Sequence, residues 1–121
     1  MKIAILVSKE TKTCLGKGCM RAFLERTGAF ERYEGSAELV EMAFDDGDLD
    51  SKIEFLKSQK VEAVHLSSCT RSNNCDYDTM AHRLAMHFNV IGYTHGSAQG
   101  RTRDSIVLDR LEATSENGGS Y

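Results

Sequence analysis

The feature that most limits the fold of this chain is a regular alternation of short apolar runs with amphipathic stretches. Lys2–Val7 is unbroken Ile, Ala, Leu and Val after its lysine. Residues 37–44, centred on Leu39 and Val40, and residues 61–67 and 89–93 are further runs of similar length. Runs this short suit strands, and those without polar alternation suit strands covered on both faces. Between them, apolar residues recur at helical spacing. Met20, Phe23, Leu24 and Thr27 form one stripe, with Gly28 as its candidate stop. Leu49, Ile53 and Leu56 form a second behind Asp48 or Asp50 as cap, and Tyr77, Met80, Ala81, Leu84, Ala85 and Phe88 form a third behind Asp76.

The resulting order, β-α-β-α-β-α-β, predicts a three-layer α/β fold of the Rossmann or flavodoxin kind: a four-stranded parallel sheet, right-handed crossovers, and flanking helices. The strand order 2-1-3-4 is the economical arrangement, and it sets the loops after strands 1 and 3 side by side at the switch point. Residues 1–96 are expected to form a single α/β domain, with 97–121 a C-terminal extension. Within that extension, residues 105–111 are read as a short helix through Ile106, Val107 and Leu111, and the polar residues 113–121 as mobile.

At 121 residues the chain is one domain, long enough for a core without covalent staples. Its net charge of −3 offers no basic footprint for nucleic acid. No apolar run approaches a membrane span. The first run is too short for a signal-peptide core, so a reducing cytosol is the expected setting. In that setting the four cysteines read as metal ligands, redox thiols or reduced side chains rather than disulfides.

Their placement carries the chemistry. Cys14 and Cys19 follow the first strand, and Cys69 and Cys75 follow the third. His65 lies in the third strand and His95 follows the fourth. A parallel sheet gathers these thiols and imidazoles at its carboxyl edge, where open α/β sheets bind ligands. The spacings C-x4-C and C-x5-C are looser than the C-x2-C of zinc ribbons, but two pairs on adjacent loops would supply four thiolates to one ion or cluster. Cys19 stands where the first helix should begin, a position that favours the thiolate. His65 is read equally as a hydrogen-bonded core residue and as a ligand. His82 and His87 lie off the apolar stripe of their helix and should face solvent. Asp45, Asp46 and Asp48 read first as a turn and helix cap, and second as oxygen ligands or a general base.

Two motifs are tested and set aside. Gly16-Lys17-Gly18 lacks the rest of a phosphate loop, although the segment from Ser8 to Thr13 could still cradle an anion ahead of a helix. Cys14 to Arg21 approaches the C-x5-R loop of cysteine-dependent phosphatases, but its interval is one residue too long. The chain also has no proline for the Asp-Pro acid of those enzymes.

The order of these features resembles the CGGC domain, a small family of bacterial and archaeal proteins. The resemblance spans residues 1 to about 96. It rests on Lys2–Val7, on Cys14 and Cys19, on Gly28-Ala29-Phe30, on the run from Ala63 through His65 to Cys69, on Cys75, and on Gly92-Tyr93-Thr94-His95-Gly96. It implies metal binding, with zinc as the metal and Cys and His as ligands, and no assigned reaction. The chain departs from the pattern after the second strand, where Phe44-Asp45-Asp46-Gly47 replaces the Cys-Gly-Gly-Cys of the family name. The loop between Cys69 and Cys75 is also short, and Asp76-Tyr77 stands where Pro-His is usual. Such a divergent member would keep four of its cysteines, with Asp45 or Asp46 as harder substitutes for the lost pair.

Three readings follow. In the first, Cys14, Cys19, Cys69 and Cys75 hold zinc or an iron–sulfur cluster, with His95 and then His65 as alternative ligands or supports, and with Ser67, Ser68 and Thr70 as hydrogen-bond donors. In the second, the chain is a metal-free thiol enzyme with Cys19 or Cys69 as nucleophile. In the third, it is a non-catalytic module that binds an anion or a partner protein, with a homodimer among the arrangements it allows. The expected partner is thus a metal ion or small molecule, with no nucleic acid and no membrane.

Overall fold

A computed structural model of the protein describes residues 1–7, 17–33, 37–44, 48–67, 76–94 and 106–111. Strands β1 (Lys2–Val7), β2 (Glu38–Phe44), β3 (Ala63–Leu66), β4 (Asn89–Ile91) and β5 (Val107–Leu108) form one sheet in the order β2-β1-β3-β4-β5. The first four are parallel, and β5 runs antiparallel to β4. Helices α1 (Lys17–Glu25), α2 (Leu49–Ser58) and α3 (Tyr77–Ala85) and a 3-10 helix (Gly28–Tyr33) cover the two faces.

The sheet divides the core in two because successive strand residues point to opposite faces. Ile3, Ile5, Val7, Ala63 and Ile91 pack with Cys19, Ala22, Phe23, Ala29 and Phe30 from α1 and the 3-10 helix. Ala4, Leu6, Val64, Leu66 and Val90 pack with Ile53 and Leu56 of α2 and with Tyr77, Ala81, Leu84 and Ala85 of α3. This is the three-layer α/β arrangement read from the alternation, and the order 2-1-3-4 holds for its parallel strands.

Several local expectations are corrected. Residues 106–111, the described part of the expected helix over 105–111, form no helix. Val107 and Leu108 pair with Ile91 and Val90 and add a fifth strand. That register is fixed by Tyr77, whose hydroxyl donates to the Gly92 carbonyl and accepts the Ile106 N–H, both at 2.9 Å. Gly92 N–H in turn donates to the Ile106 carbonyl at 2.7 Å. A Cβ on residue 92 would overlap the Tyr77 hydroxyl and come within 2.7 Å of the Ile106 carbonyl oxygen, so glycine is required there. The expected stretch 113–121 lies outside the described residues.

Helix α1 is rotated from its predicted stripe. It buries Cys19, Ala22 and Phe23, while Leu24 is 68 % exposed and Thr27 faces solvent. It also ends before Gly28. Arg26 takes the left-handed conformation (φ 56°), Thr27 N–H reaches Ala22 O at 3.0 Å, and Arg26 N–H reaches Phe23 O at 3.2 Å, the two bonds of a Schellman motif. A non-glycine residue is held there by its side chain. The Arg26 guanidinium lies 4.3 Å over the Phe23 ring, donates to Phe23 O, and donates to Ala37 O at 3.0 Å, tying the helix end to the start of β2. Gly28 is also left-handed (φ 59°), and opens the 3-10 helix that the sequence reading did not foresee.

Asp48 caps α2 as predicted, accepting Ser51 N–H at 3.3 Å, whereas Asp76 occupies the cap position of α3 without a capping side-chain bond. His82 is exposed as expected, and His87 is half-buried against Phe88.

β2 carries one irregularity. Ile3 pairs with Leu39 but Ala4 pairs with Glu41, so Val40 is the extra residue of a β-bulge. Glu41 is thereby turned to the α2 face, beside Ala43.

Helix α2 closes with a second Schellman motif around Lys60 (φ 64°), an exposed residue in the left-handed region. Glycine removes the Cβ clash at such a position. Lys60→Gly should therefore raise stability by about 0.5–1 kcal/mol in urea unfolding. Gly92→Ala should have the opposite sign and cost several-fold more, because the clash partners are backbone and a buried hydroxyl. Equal effects of the two substitutions would contradict this account of where the strain lies.

Candidate functional site

His65 lies in the middle of β3, fully buried, between Ile5 of β1 and Ile91 of β4. A buried imidazole needs partners for both nitrogens. Nδ1 is 3.1 Å from the Tyr93 carbonyl, and Nε2 is 2.7 Å from the Tyr33 hydroxyl. A carbonyl only accepts, so Nδ1 carries the proton, and the Nε2 lone pair accepts from Tyr33 O–H. The Phe30 ring stacks obliquely on the imidazole at 4.4 Å, and the Tyr33 ring meets it edge-on at 5.5 Å. Both aromatic residues come from the 3-10 helix, whose tight turn places them three residues apart on one side.

Burial pushes His65 down to about 4. The Tyr93 carbonyl opposes that shift and the Arg32 charge adds to it. Burial pushes the Tyr33 phenol up to about 12, against the pull of Arg32. Both groups are thus neutral in the folded protein across the physiological range.

From His65 the contacts lead to the carboxyl edge of the sheet. Tyr93 and Thr94 follow β4 after Gly92, and their two carbonyls are both engaged. Tyr93 O accepts from His65, and Thr94 O accepts Ala29 N–H at 2.9 Å. The Thr94 hydroxyl lies 3.0 Å from Cys19 Sγ. Thr94 is fully buried and Cys19 is 2 % exposed, in the first turn of α1. At the end of β3, Ser67 is buried and its N–H donates to Leu6 O at 2.8 Å.

The sequence reading named six candidate ligands, of which the described residues contain Cys19 and His65. The two are linked through Thr94 and Tyr93 rather than by direct contact. Cys14, Cys69, Cys75 and His95 lie outside the described residues, as do Asp45, Asp46, Ser68 and Thr70. In the chain, Cys14 falls between β1 and α1, Cys69 is the second residue after Ser67, Cys75 precedes Asp76, and His95 follows Thr94. Among the described residues, no group of three or more His, Cys, Asp or Glu is placed to hold a metal ion. Sequence reasoning missed Tyr33 and Thr94. Tyr33 had no signal, because the 3-10 helix was not foreseen. Thr94 carries no sequence signal of its own beside His95.

A separate cavity of about 330 Å³ lies between β2 and α2, floored by Leu6 and Leu56 and rimmed by Glu41, Lys52 and the 45 % exposed Phe55. It lies on the opposite face of the sheet from His65 and Cys19.

A family model, the CGGC domain, matches residues 2–95. The chain belongs to the CGGC domain family. Neither a curated protein nor a solved structure matches it. The matched stretch takes in β1 to β4 and reaches from the first strand through Thr94 to His95. No helix among the described residues is long and apolar enough to cross a membrane.

The histidine makes a signed prediction. Below pH 6.5 the unfolded chain takes up a proton at His65 that the folded chain refuses until about pH 4. Stability should therefore be fully present above 6.5 and fall by up to roughly 3 kcal/mol as the pH drops through that window. Long-range ¹H–¹⁵N spectra at pH 5.5 should show a neutral His65 ring protonated on Nδ1. A charged ring at that pH would contradict the assigned hydrogen bonds.

Proposed function

We propose that this CGGC-domain protein is a cytosolic metal-binding protein whose site lies at the carboxyl edge of the parallel sheet. Zinc is the first candidate and an iron–sulfur cluster the second. The ligands proposed are Cys14, Cys19, Cys69 and Cys75, with His95 as an alternative ligand or a support to them. The observation that carries this reading is the position of Cys19. Its thiol is held inside the edge of the sheet, 3.0 Å from Thr94, the residue that precedes His95. The donor set is soft, and soft thiolates suit zinc and iron–sulfur clusters over magnesium or calcium.

His65 fits a supporting role in this reading rather than a ligand role. Its Nε2 lone pair is taken by Tyr33, and its Nδ1 proton holds the Tyr93 carbonyl. A metal on Nε2 would have to displace the Tyr33 hydroxyl inside a closed aromatic cage.

Four thiolates around one zinc leave no open position, and a site of that kind contributes to folding rather than to catalysis. The proposal therefore assigns no reaction. The burial of Cys19 also argues against Cys19 as an attacking nucleophile, since a nucleophile must reach its electrophile. A thiol enzyme would have to work through Cys69.

The test is elemental analysis with a UV–visible spectrum on untagged protein, prepared without oxygen or chelator. About one equivalent of zinc, or iron with a sulfide-to-iron charge-transfer band, is the expected result. Cys69→Ser should then lose stoichiometric metal. Less than about a tenth of an equivalent in the wild type, with no uptake on readdition, would reduce family membership to a shared fold. Full metal in Cys69→Ser would remove the four-cysteine site.

A further inference from the structure

We infer that Thr94 is a positioning residue for the metal-bound Cys19, its hydroxyl donating a hydrogen bond to Sγ. The inference rests on the metal-binding reading above and adds a residue that the family motif does not mark as a ligand. Three observations lead to it. Thr94 and Cys19 are 75 residues apart in the chain, yet their side chains meet at 3.0 Å with both residues buried. The backbone at Thr94 is fixed on either side, by the bond from Ala29 N–H to its own carbonyl and by the bond from His65 to the carbonyl of Tyr93. Cys19 is fixed independently, in the first turn of α1, whose buried Ala22 and Phe23 pack against the sheet.

The direction of the bond follows from the chemistry of the pair. A hydroxyl is a good donor, and a thiolate is an acceptor only. A sulfur bound to a metal keeps lone pairs that still accept. Donation from Thr94 removes electron density from that sulfur and holds it at one angle to the end of β4. Partners that orient a ligand in this way typically contribute 10- to 100-fold in metal affinity. The contact is set by the fold itself, through the fixed backbone at Thr94 and the packing of α1.

The test uses the whole chain and three variants. Thr94→Val keeps the shape and removes the hydroxyl, Thr94→Ala removes both, and Thr94→Ser keeps the donor. Zinc affinity is read by competition with a chromophoric chelator. A spectrum of the cobalt(II)-loaded protein reads the sulfur directly. Thr94→Val and Thr94→Ala should bind zinc about 10- to 100-fold more weakly than wild type, and Thr94→Ser should stay within about threefold. The thiolate-to-cobalt charge-transfer band should move to longer wavelength in the valine and alanine variants and stay in place in the serine variant. A simple packing defect would weaken affinity without that pattern of band shift and serine rescue. Wild-type affinity and an unmoved band in whichever of the valine and alanine variants folds would overturn the inference while leaving the metal site standing. A wild type that takes up neither zinc nor cobalt would overturn the metal-binding reading, and this inference with it.

Discussion

The burial of one imidazole in the centre of a parallel sheet organises the side of the molecule that carries the candidate site. His65 replaces what would ordinarily be Val or Ile between Ile5 and Ile91, so its two nitrogens must be satisfied without water. One is met by the backbone just past β4 and the other by Tyr33. Those two bonds require the 3-10 helix to sit over the sheet and the chain after β4 to follow a set path. Phe30 closes the remaining face of the ring. The contact of Thr94 with Cys19 is the downstream result of that path.

The electrostatic state of this group matters for the same reason. A charged imidazolium would have a second proton aimed at the Tyr33 oxygen, which would then have to accept instead of donate. A low proton affinity for the imidazole and a high one for the phenol keep the direction of the bond fixed. The cage thus acts as a rigid neutral support beneath the carboxyl edge of the sheet.

The sheet was legible in the sequence because its parallel strands are short runs rich in apolar residues, and their alternation with helical stripes leaves few topologies. The α3 stripe from Tyr77 to Phe88 was legible because six apolar residues agreed on one face. Where signals were short or shared, the reading slipped. Val107 and Leu108 became a strand through the Tyr77 hydroxyl and the absent side chain of Gly92, two partners far away in the chain. The end of α1 was assigned to Gly28, whereas Arg26 performs that role through contacts with Phe23 and Ala37 that only the fold creates. The stripe of α1 is offset because Met20, Phe23, Leu24 and Thr27 leave out Cys19 and Ala22, which belong to the buried face. For the candidate site, the sequence named the sheet edge and the thiols. It could not name Thr94 or Tyr33, because an isolated hydroxyl has no periodicity to mark it.

The bulge in β2 bears on how copies of the chain can meet. Among the described residues β2 has a neighbour on one side only, β1, and its other backbone edge is of the kind that invites a further strand. The extra residue at Val40 bends that edge and places Glu41 at the middle of the seven-residue strand. Two copies approaching about a two-fold axis at the strand centre would bring one Glu41 carboxylate against the other. Like charges directly opposed across a strand pair repel. Val40 and Glu41 together thus disfavour the most symmetrical pairing of that edge with a second copy of itself.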